Sequence, residues 1–181
     1  MAKVKDGKNG MDPKMVKRFY KNRVALPDDV KQKVCDICNV KLAAALDTYT
    51  QAKYAHWNVK GVNFYQLHLV FDATAKVIFK HIDAIAERIT QLGGTANGTV
   101  RMAAATSPIA PYNVEALSGP EHVEALANAV GTYAKELRQA SDDIDELKDE
   151  PTADFFKQLV VETEEELYFL ESHLEAGADV Q

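Results

Sequence analysis

Residues 55–72 read AHWNVKGVNFYQLHLVFD, and they mark a tight turn between two long helices. Gly61 is a natural helix stop, and Asn63 with Gln66 three residues later has the spacing of a capping box that begins a new helix. Apolar residues recur at helical spacing before this turn, from Asp28 to about Val59, and after it as far as Gly93. The pattern predicts two consecutive helices joined by a few residues.

The second half of the chain predicts another such pair. Ser118 and Glu121 form a capping box that begins a third helix, and Pro151 ends it and starts a fourth. Residues 93–119 between the pairs are rich in Gly, Thr, Ser and Pro, and we expect short helical turns near 100–105 and 114–117. With no strand pattern, the prediction is an all-α four-helix bundle with one long B–C crossover, which is ferritin-like topology.

The charge of the 181-residue chain is divided unevenly. Residues 1–23 carry eight basic and two acidic groups, a net charge of +6, and the rest carries 13 basic and 25 acidic groups, a net charge of −12. We predict a basic, mobile N-terminal tail over residues 1–26, the bundle over 27–176 and a short C-terminal tail over 177–181. Such asymmetry favours a polyanion as the partner of the tail.

Composition also excludes several classes of protein. No apolar run reaches the roughly 18 residues of a membrane helix, and the N-terminus lacks the apolar region of a secretory signal. Two cysteines cannot form a disulfide framework, which favours a reducing cytoplasm. Cys35 and Cys38 lie within a helix and are expected to pack in or near the core.

Metal-binding residues concentrate on the second helix. No glutamate lies three residues before any of the five histidines, so the Glu-x-x-His motif of an intra-bundle di-iron site is missing. Instead His68 and Asp72, and then Asp83 and Glu87, form two i, i+4 pairs within about 100° of the same flank. The two pairs are about 22 Å apart along one helix, too far to share a site.

Two antiparallel copies of this helix that cross near Phe79 would bring the two pairs together. The result would be two equivalent sites at a twofold interface, and His56 could complete each of them. Two imidazoles and three carboxylates suit Fe²⁺, Mn²⁺ or Zn²⁺. The alternative is a surface stripe of charge with two ordinary histidines.

Three motifs resemble those of the Dps family, the miniferritins. They are residues 55–72, the run from Ile82 to Gly94, and Thr152-Ala153-Asp154 together with the ending from Leu170 to Glu175. The resemblance implies a hollow homo-dodecamer with ferroxidase sites at twofold interfaces. It implies that His56, His68 and Asp72 of one chain and Asp83 and Glu87 of its partner bind two Fe²⁺ ions per site. Zinc or manganese could compete for these sites.

The family resemblance also implies a reaction and an oxidant. Iron would be oxidised by hydrogen peroxide in preference to oxygen and stored as a ferric mineral, which would protect DNA. Trp57 would lie near the iron and intercept stray oxidant, or else it packs the end of the first helix. A different outcome is a nucleoid-associated protein that mainly compacts DNA without sequence specificity. An oligomeric bundle that binds zinc without turnover is a third possibility.

Two further charged segments suggest functions of their own, one acidic and one basic. Acidic residues crowd the turn between the third and fourth helices, and in the Dps family this region lines a threefold pore for iron. The expected pore-lining residues are Asp145, Asp149 and Asp154. The alternative is that these residues only form the solvated end of a helix. The basic tail is expected to neutralise DNA phosphates, or simply to confer solubility. Its expected DNA-contacting residues are Lys3, Lys5, Lys8, Lys14, Lys17 and Arg18.

Overall fold

The computed structural model describes residues 14–174, and over this range it contains five helices and no strand. They are α1 (Asp28–Asn58), α2 (Phe64–Gln91), α3 (Val100–Thr106), α4 (Gly119–Glu146) and α5 (Glu150–Glu171). The four long helices and the crossover confirm the predicted bundle. The first expected crossover helix is α3, whereas residues 114–117 form only a turn. None of the described helices has both the length and the apolar character needed to cross a bilayer.

The helices bury the apolar faces that their periodicity predicts. On α2, Leu67, Phe71, Ile78, Ile85 and Ile89 are buried in a core that the other long helices complete. The exception on this stripe is Phe64, which is 38% exposed because it is the first residue of α2 and lies beyond the end of the core. Burial of the two cysteines is confirmed, since Cys35 and Cys38 both lie in this core.

The two predicted capping boxes have different outcomes. Ser118 and Glu121 form the box that begins α4, as expected. The prediction for Asn63 is wrong, because its side chain makes no capping hydrogen bond. The backbone closes the turn instead: Gly61 adopts a φ of +108°, and its carbonyl accepts a hydrogen bond of 3.0 Å from the Phe64 amide. This turn fixes the ends of α1 and α2 beside each other.

Residues 16–22 form an extended segment along residues 91–97, which we call the strap. The contacts alternate in antiparallel register. The Val16 amide donates to Asn97 Oδ1 at 2.8 Å, Thr95 Oγ1 donates to the Arg18 carbonyl at 3.2 Å, and the Tyr20 amide donates to the Gly93 carbonyl at 2.7 Å. Asn22 Nδ2 then donates to the Gln91 carbonyl. Part of the expected mobile tail is therefore bound to the bundle.

Gly93 serves both the end of α2 and the strap. It has a φ of +97° at the helix terminus, and the Gly94 amide bonds back to the Ile89 carbonyl as in a Schellman motif. A Cβ atom on Gly93 would lie 2.2 Å from the Tyr20 carbonyl oxygen. Only glycine therefore fits both the left-handed backbone and the close approach of the strap.

We expect Gly93→Ala to destabilise the protein more than Gly61→Ala does. Both substitutions place a side chain at positive φ, which costs about 1–2 kcal/mol, but a Cβ on Gly61 would meet nothing within 4 Å. The difference between their free energies of unfolding in denaturant isolates the strap contact. Gly93→Ala should also speed tryptic cleavage at Lys17 and Lys21, and equal stability and cleavage in the two variants would contradict this account.

Candidate metal centre

His56 and His68 face each other across the α1–α2 turn. His56 lies in the last turn of α1 and His68 in the second turn of α2, and their rings stack with centroids 3.7 Å apart and planes inclined by 20°. The ring of Phe64 packs against His68 with centroids 5.1 Å apart. The structure thus brings together the two histidines that the sequence places 12 residues apart.

Reciprocal hydrogen bonds orient both rings. His56 Nδ1 lies 2.7 Å from the His68 carbonyl oxygen, and His68 Nδ1 lies 2.8 Å from the His56 carbonyl oxygen. Because a carbonyl only accepts, each Nδ1 carries a proton, and the neutral form of each ring then has its lone pair on Nε2. This is how proteins commonly fix the tautomer of a metal-binding histidine.

Asp72 lies one turn beyond His68 and is paired with two lysines. Lys53 of α1 donates to its Oδ1 and Lys76 of α2 donates to its Oδ2, both at 2.8 Å. The hydrogen bond from Lys53, followed by that from Lys76, holds the pKa of Asp72 well below its usual range. Sequence reasoning missed both lysines, although the i, i+4 spacing of Asp72 and Lys76 was visible.

Asp83 and Glu87 are exposed on the far half of α2. They begin 15 residues beyond His68, which is about 22 Å along the helix axis. Over residues 14–174, no three His, Cys, Asp or Glu side chains meet closely enough to hold a metal ion. One chain therefore presents the two expected halves of a site at separate places.

The flank of α2 that carries both halves also exposes large apolar side chains. Tyr65, Leu69 and Phe79 are 66%, 49% and 58% exposed, and all three lie on the same flank of α2 as the expected ligands. Tyr49 packs against Phe79, and together with Asp72 they line a groove of about 410 Å³. This flank combines exposed aromatic area with the metal-binding side chains.

Trp57 follows His56 directly in the last turn of α1. Its ring is 64% exposed, and Lys53 Nζ lies 5.8 Å from the ring centroid. Its exposure does not fit the alternative in which Trp57 only packs the end of α1.

The acidic turn between α4 and α5 separates into two kinds of residue. Asp145 and Asp154 are exposed, but Asp149 is buried. The Asp149 carboxylate accepts hydrogen bonds from the amide and hydroxyl of Thr152 and from Arg88, and so caps α5. Asp149 thus has a structural role that a pore liner would not have, because its carboxylate faces protein groups instead of water.

The expected DNA-contacting residues fall partly within the strap. Lys14, Lys17 and Arg18 are exposed, and only a 3.9 Å ion pair with Asp36 draws Lys17 toward the bundle. Lys3, Lys5 and Lys8 lie outside the described residues. The strap and the residues beside it hold five of the eight basic groups before residue 24, without an acidic residue among them.

His81 lies inside the bundle, where it is 1% exposed. Its Nε2 donates to Glu162 at 3.0 Å, and the hydroxyl of buried Tyr133 donates to its Nδ1 at 3.3 Å. Burial lowers the pKa of His81 below the ordinary value of 6.5, although Glu162 opposes part of this shift. The folded protein therefore holds His81 neutral.

We expect this histidine to make stability fall in mild acid. The unfolded chain protonates His81 near pH 6.5, whereas the folded protein does so only at lower pH, so its contribution is complete above pH 6.5 and is lost as the pH falls below it. The loss is at most ~1.4 kcal/mol per pH unit. Free energies of unfolding measured between pH 7 and 5 should decrease less in His81→Gln; parallel curves would contradict this assignment.

The comparisons with known proteins agree with the geometry. A model of the ferritin-like domain matches residues 36–179. A DNA protection during starvation protein from Agrobacterium fabrum is 36% identical over 158 residues, covering 87% of this chain and 98% of the relative. One from Brevibacillus brevis is 31% identical over 149 residues, covering 81% and 97%.

Solved structures agree with these sequence matches. The structure of DpsC from Streptomyces coelicolor superposes with a TM-score of 0.84 at 28% identity, covering 91% of this chain and 96% of DpsC. Helix order, crossover and sequence thus lead to one conclusion: the chain belongs to the Dps family of miniferritins, within the ferritin-like fold.

Proposed function

We propose that this protein is a ferroxidase that oxidises Fe²⁺ at sites shared between two copies of the chain, with hydrogen peroxide as its preferred oxidant. The observation that carries the proposal is the stacked pair His56 and His68, whose Nε2 lone pairs are free because both Nδ1 atoms are bonded to carbonyls. Two such nitrogens, completed by carboxylates, suit a borderline first-row ion. Iron is the substrate here, and zinc or manganese would compete with it.

The second half of each site comes from a second copy. Exposed Leu69 lies beside His68, and exposed Phe79 lies between the His68–Asp72 pair and the Asp83–Glu87 pair, so both would be covered if two α2 helices crossed antiparallel. In that arrangement Asp83 and Glu87 of each chain reach the histidine pair of the other. The apolar flank supplies the driving force for the contact, and the polar groups on it supply the chemistry.

Two irons in one site allow peroxide to be reduced in a single two-electron reaction. One H₂O₂, two Fe²⁺ and two protons give two Fe³⁺ and two H₂O, so no hydroxyl radical is released. Glu87 would bridge the two irons. Before iron binds, Lys53 and Lys76 each pair with one oxygen of the Asp72 carboxylate, and iron would compete with these ammonium groups for it.

The ferric product requires a container, and we propose a dodecameric cage for it. Asp145 and Asp154 are exposed at the α4–α5 turn and would attract Fe²⁺ to a pore, while buried Asp149 would hold the turn in shape. Iron storage of this kind is the general property of ferritin-like proteins, and it removes iron that would otherwise damage DNA.

We also propose that the protein binds DNA without sequence specificity in the cytoplasm, in association with the nucleoid. The strap holds Lys17, Arg18 and Lys21 exposed on the bundle surface, where they can contact phosphates. Repetition of the strap over the copies of a cage adds avidity. A protein that mainly compacts DNA, with secondary iron chemistry, is the second candidate function.

Stopped-flow mixing separates these candidates. Anaerobic protein loaded with two Fe²⁺ per chain is mixed with peroxide or with oxygen, while light scattering and size exclusion follow the particle. The proposal predicts faster Fe²⁺ oxidation with peroxide than with oxygen, inhibition by Zn²⁺ and a twelve-chain particle. Oxidation no faster than in protein-free buffer would overturn it.

A further inference from the structure

Tyr112 and His122 form a second tyrosine–histidine contact that the proposed iron chemistry does not use. The Tyr112 hydroxyl lies 2.8 Å from His122 Nδ1 and 3.4 Å from the His122 carbonyl oxygen. Tyr112 comes from the crossover and His122 from the first turn of α4, where it is 1% exposed. The fold therefore places a buried imidazole directly against a phenol.

The protonation states of this pair are well defined. Burial raises the pKa of Tyr112, so the phenol keeps its proton, and burial lowers the pKa of His122, so the imidazole is neutral. In the tautomer of His122 that carries its proton on Nε2, the phenol is the donor and His122 Nδ1 the acceptor. A phenol loses an electron readily only if its proton can leave at the same time, and here the acceptor is already hydrogen bonded.

One ring contact and one helical spacing lead from this pair toward the histidine pair of the metal centre. The rings of Tyr112 and Tyr54 are 5.0 Å apart between centroids and inclined by 58°. Tyr54 lies three residues before Trp57 on α1, so these two side chains are neighbours on the helix surface. Trp57 follows His56 directly. The order from the metal centre is thus Trp57, Tyr54, Tyr112 and His122.

We propose that Tyr112, with His122 as its proton acceptor, is a sink for one-electron oxidants that arise at the metal centre. This inference rests on the proposed ferroxidase function, because that chemistry brings iron and peroxide together beside Trp57. The oxidant is of the hydroxyl-radical class, formed when a single Fe²⁺ meets peroxide. It would otherwise attack the protein or bound DNA.

The electrons and protons balance in two steps. In the first, Tyr112 gives one electron through Tyr54 and Trp57 to the hydroxyl radical, which takes a proton from solvent and becomes water. The phenolic proton of Tyr112 moves to His122 Nδ1, leaving a neutral phenoxyl radical and an imidazolium. In the second, another Fe²⁺ reduces the phenoxyl to become Fe³⁺, and the proton returns from His122.

Pulse radiolysis tests the pathway without iron. Azide radicals oxidise tryptophan in preference to tyrosine, and the chain has a single tryptophan, Trp57. We expect the tryptophanyl absorbance to decay as a tyrosyl absorbance rises, and Tyr112→Phe to remove most of that rise and prolong the tryptophanyl radical. Tyr54→Phe should slow the transfer. Tyr20→Phe, in the strap at the opposite end of α2, is the control and should change nothing.

Freeze-quench EPR after mixing iron-loaded protein with peroxide tests the reaction itself. The wild type should give a tyrosyl signal that shows a coupling to an exchangeable proton of the imidazolium. This signal should be lost in Tyr112→Phe and weakened in His122→Phe. Two-electron oxidation of iron should be unchanged in both variants. An unchanged signal in Tyr112→Phe, or a radical assigned to Tyr133, would overturn the proposal. If peroxide fails to oxidise iron, the ferroxidase proposal fails, and the radiolysis result alone decides the role of Tyr112.

Discussion

Glu87→Ala is expected to reduce peroxide-driven Fe²⁺ oxidation by at least about 100-fold. Loss of a group that merely supports a metal ligand costs up to ~100-fold, and Glu87 is proposed to touch both irons. His68→Ala should have a comparable effect, because it removes an imidazole whose Nε2 is free and oriented. Initial rates of Fe³⁺ formation at two Fe²⁺ per chain give the measurement.

Matched controls distinguish loss of the site from general damage. Glu124→Ala removes an exposed glutamate on α4, and His173→Ala removes an exposed histidine beyond α5. Both should retain the wild-type rate, and all four variants should elute at the same particle size. Wild-type rates in Glu87→Ala and His68→Ala would remove these residues from the site.

Neutralising three basic residues in and beside the strap should weaken DNA binding more than deleting residues 1–13 does. The deleted residues hold three basic and two acidic groups, a net charge of only +1, whereas residues 14–23 hold five basic groups and no acidic one. Replacing Lys14, Lys17 and Arg18 with Gln should lower affinity at least ~10-fold and reduce the salt slope of log K by up to ~2.7. Fluorescence anisotropy over a salt series measures both quantities.

A variant with three glutamines elsewhere on the bundle controls for net charge. Lys33, Lys135 and Lys148 are exposed lysines outside the strap, and their replacement should alter DNA affinity much less. Equal losses in the two triple variants would mean that only the overall charge matters. If neither the wild type nor any variant retards DNA at low salt, the DNA-binding proposal is wrong.

The bundle could be predicted from the sequence because each of its long helices is indicated by a local pattern of residues. Heptad-like spacing, the Ser118 box and Pro151 all depend on neighbours within a few residues, and these features match the structure. The same dependence on local pattern explains why the predicted capping box at Asn63 is wrong. Asn63 and Gln66 have the residue types and spacing of a capping box, but the backbone of Gly61 closes that turn instead. Whether a side chain caps a helix depends on the backbone conformation of the preceding turn, which the residue types alone do not give.

The features that the sequence did not predict depend on distant parts of the chain. Lys53 reaches Asp72 only because of how α1 packs on α2, and Asp149 is buried only because Arg88 reaches it from α2. In the strap, Val16 is hydrogen bonded to Asn97, which is 81 residues away in the sequence. No periodic pattern in this basic segment predicts such a pairing. The intersubunit site itself was inferred from helix geometry and family resemblance, and it remains a prediction.

Complementation between two inactive variants tests that site most directly. His68→Ala and Glu87→Ala subunits carry different affinity tags, are unfolded and refolded together in equal amounts, and the mixed particles are isolated through both tags. A dimer with one chain of each kind has one site that lacks both residues and one that is fully wild type. Each variant refolded alone has no complete site.

Random pairing makes half of the dimers mixed, and each mixed dimer has one of its two sites intact. The account therefore predicts that the refolded mixture, before tag selection, recovers roughly a quarter of the wild-type rate of peroxide-driven Fe²⁺ oxidation, while either variant alone stays inactive. A mixture that assembles normally yet is no more active than its parents would show that His68 and Glu87 do not act together across two chains.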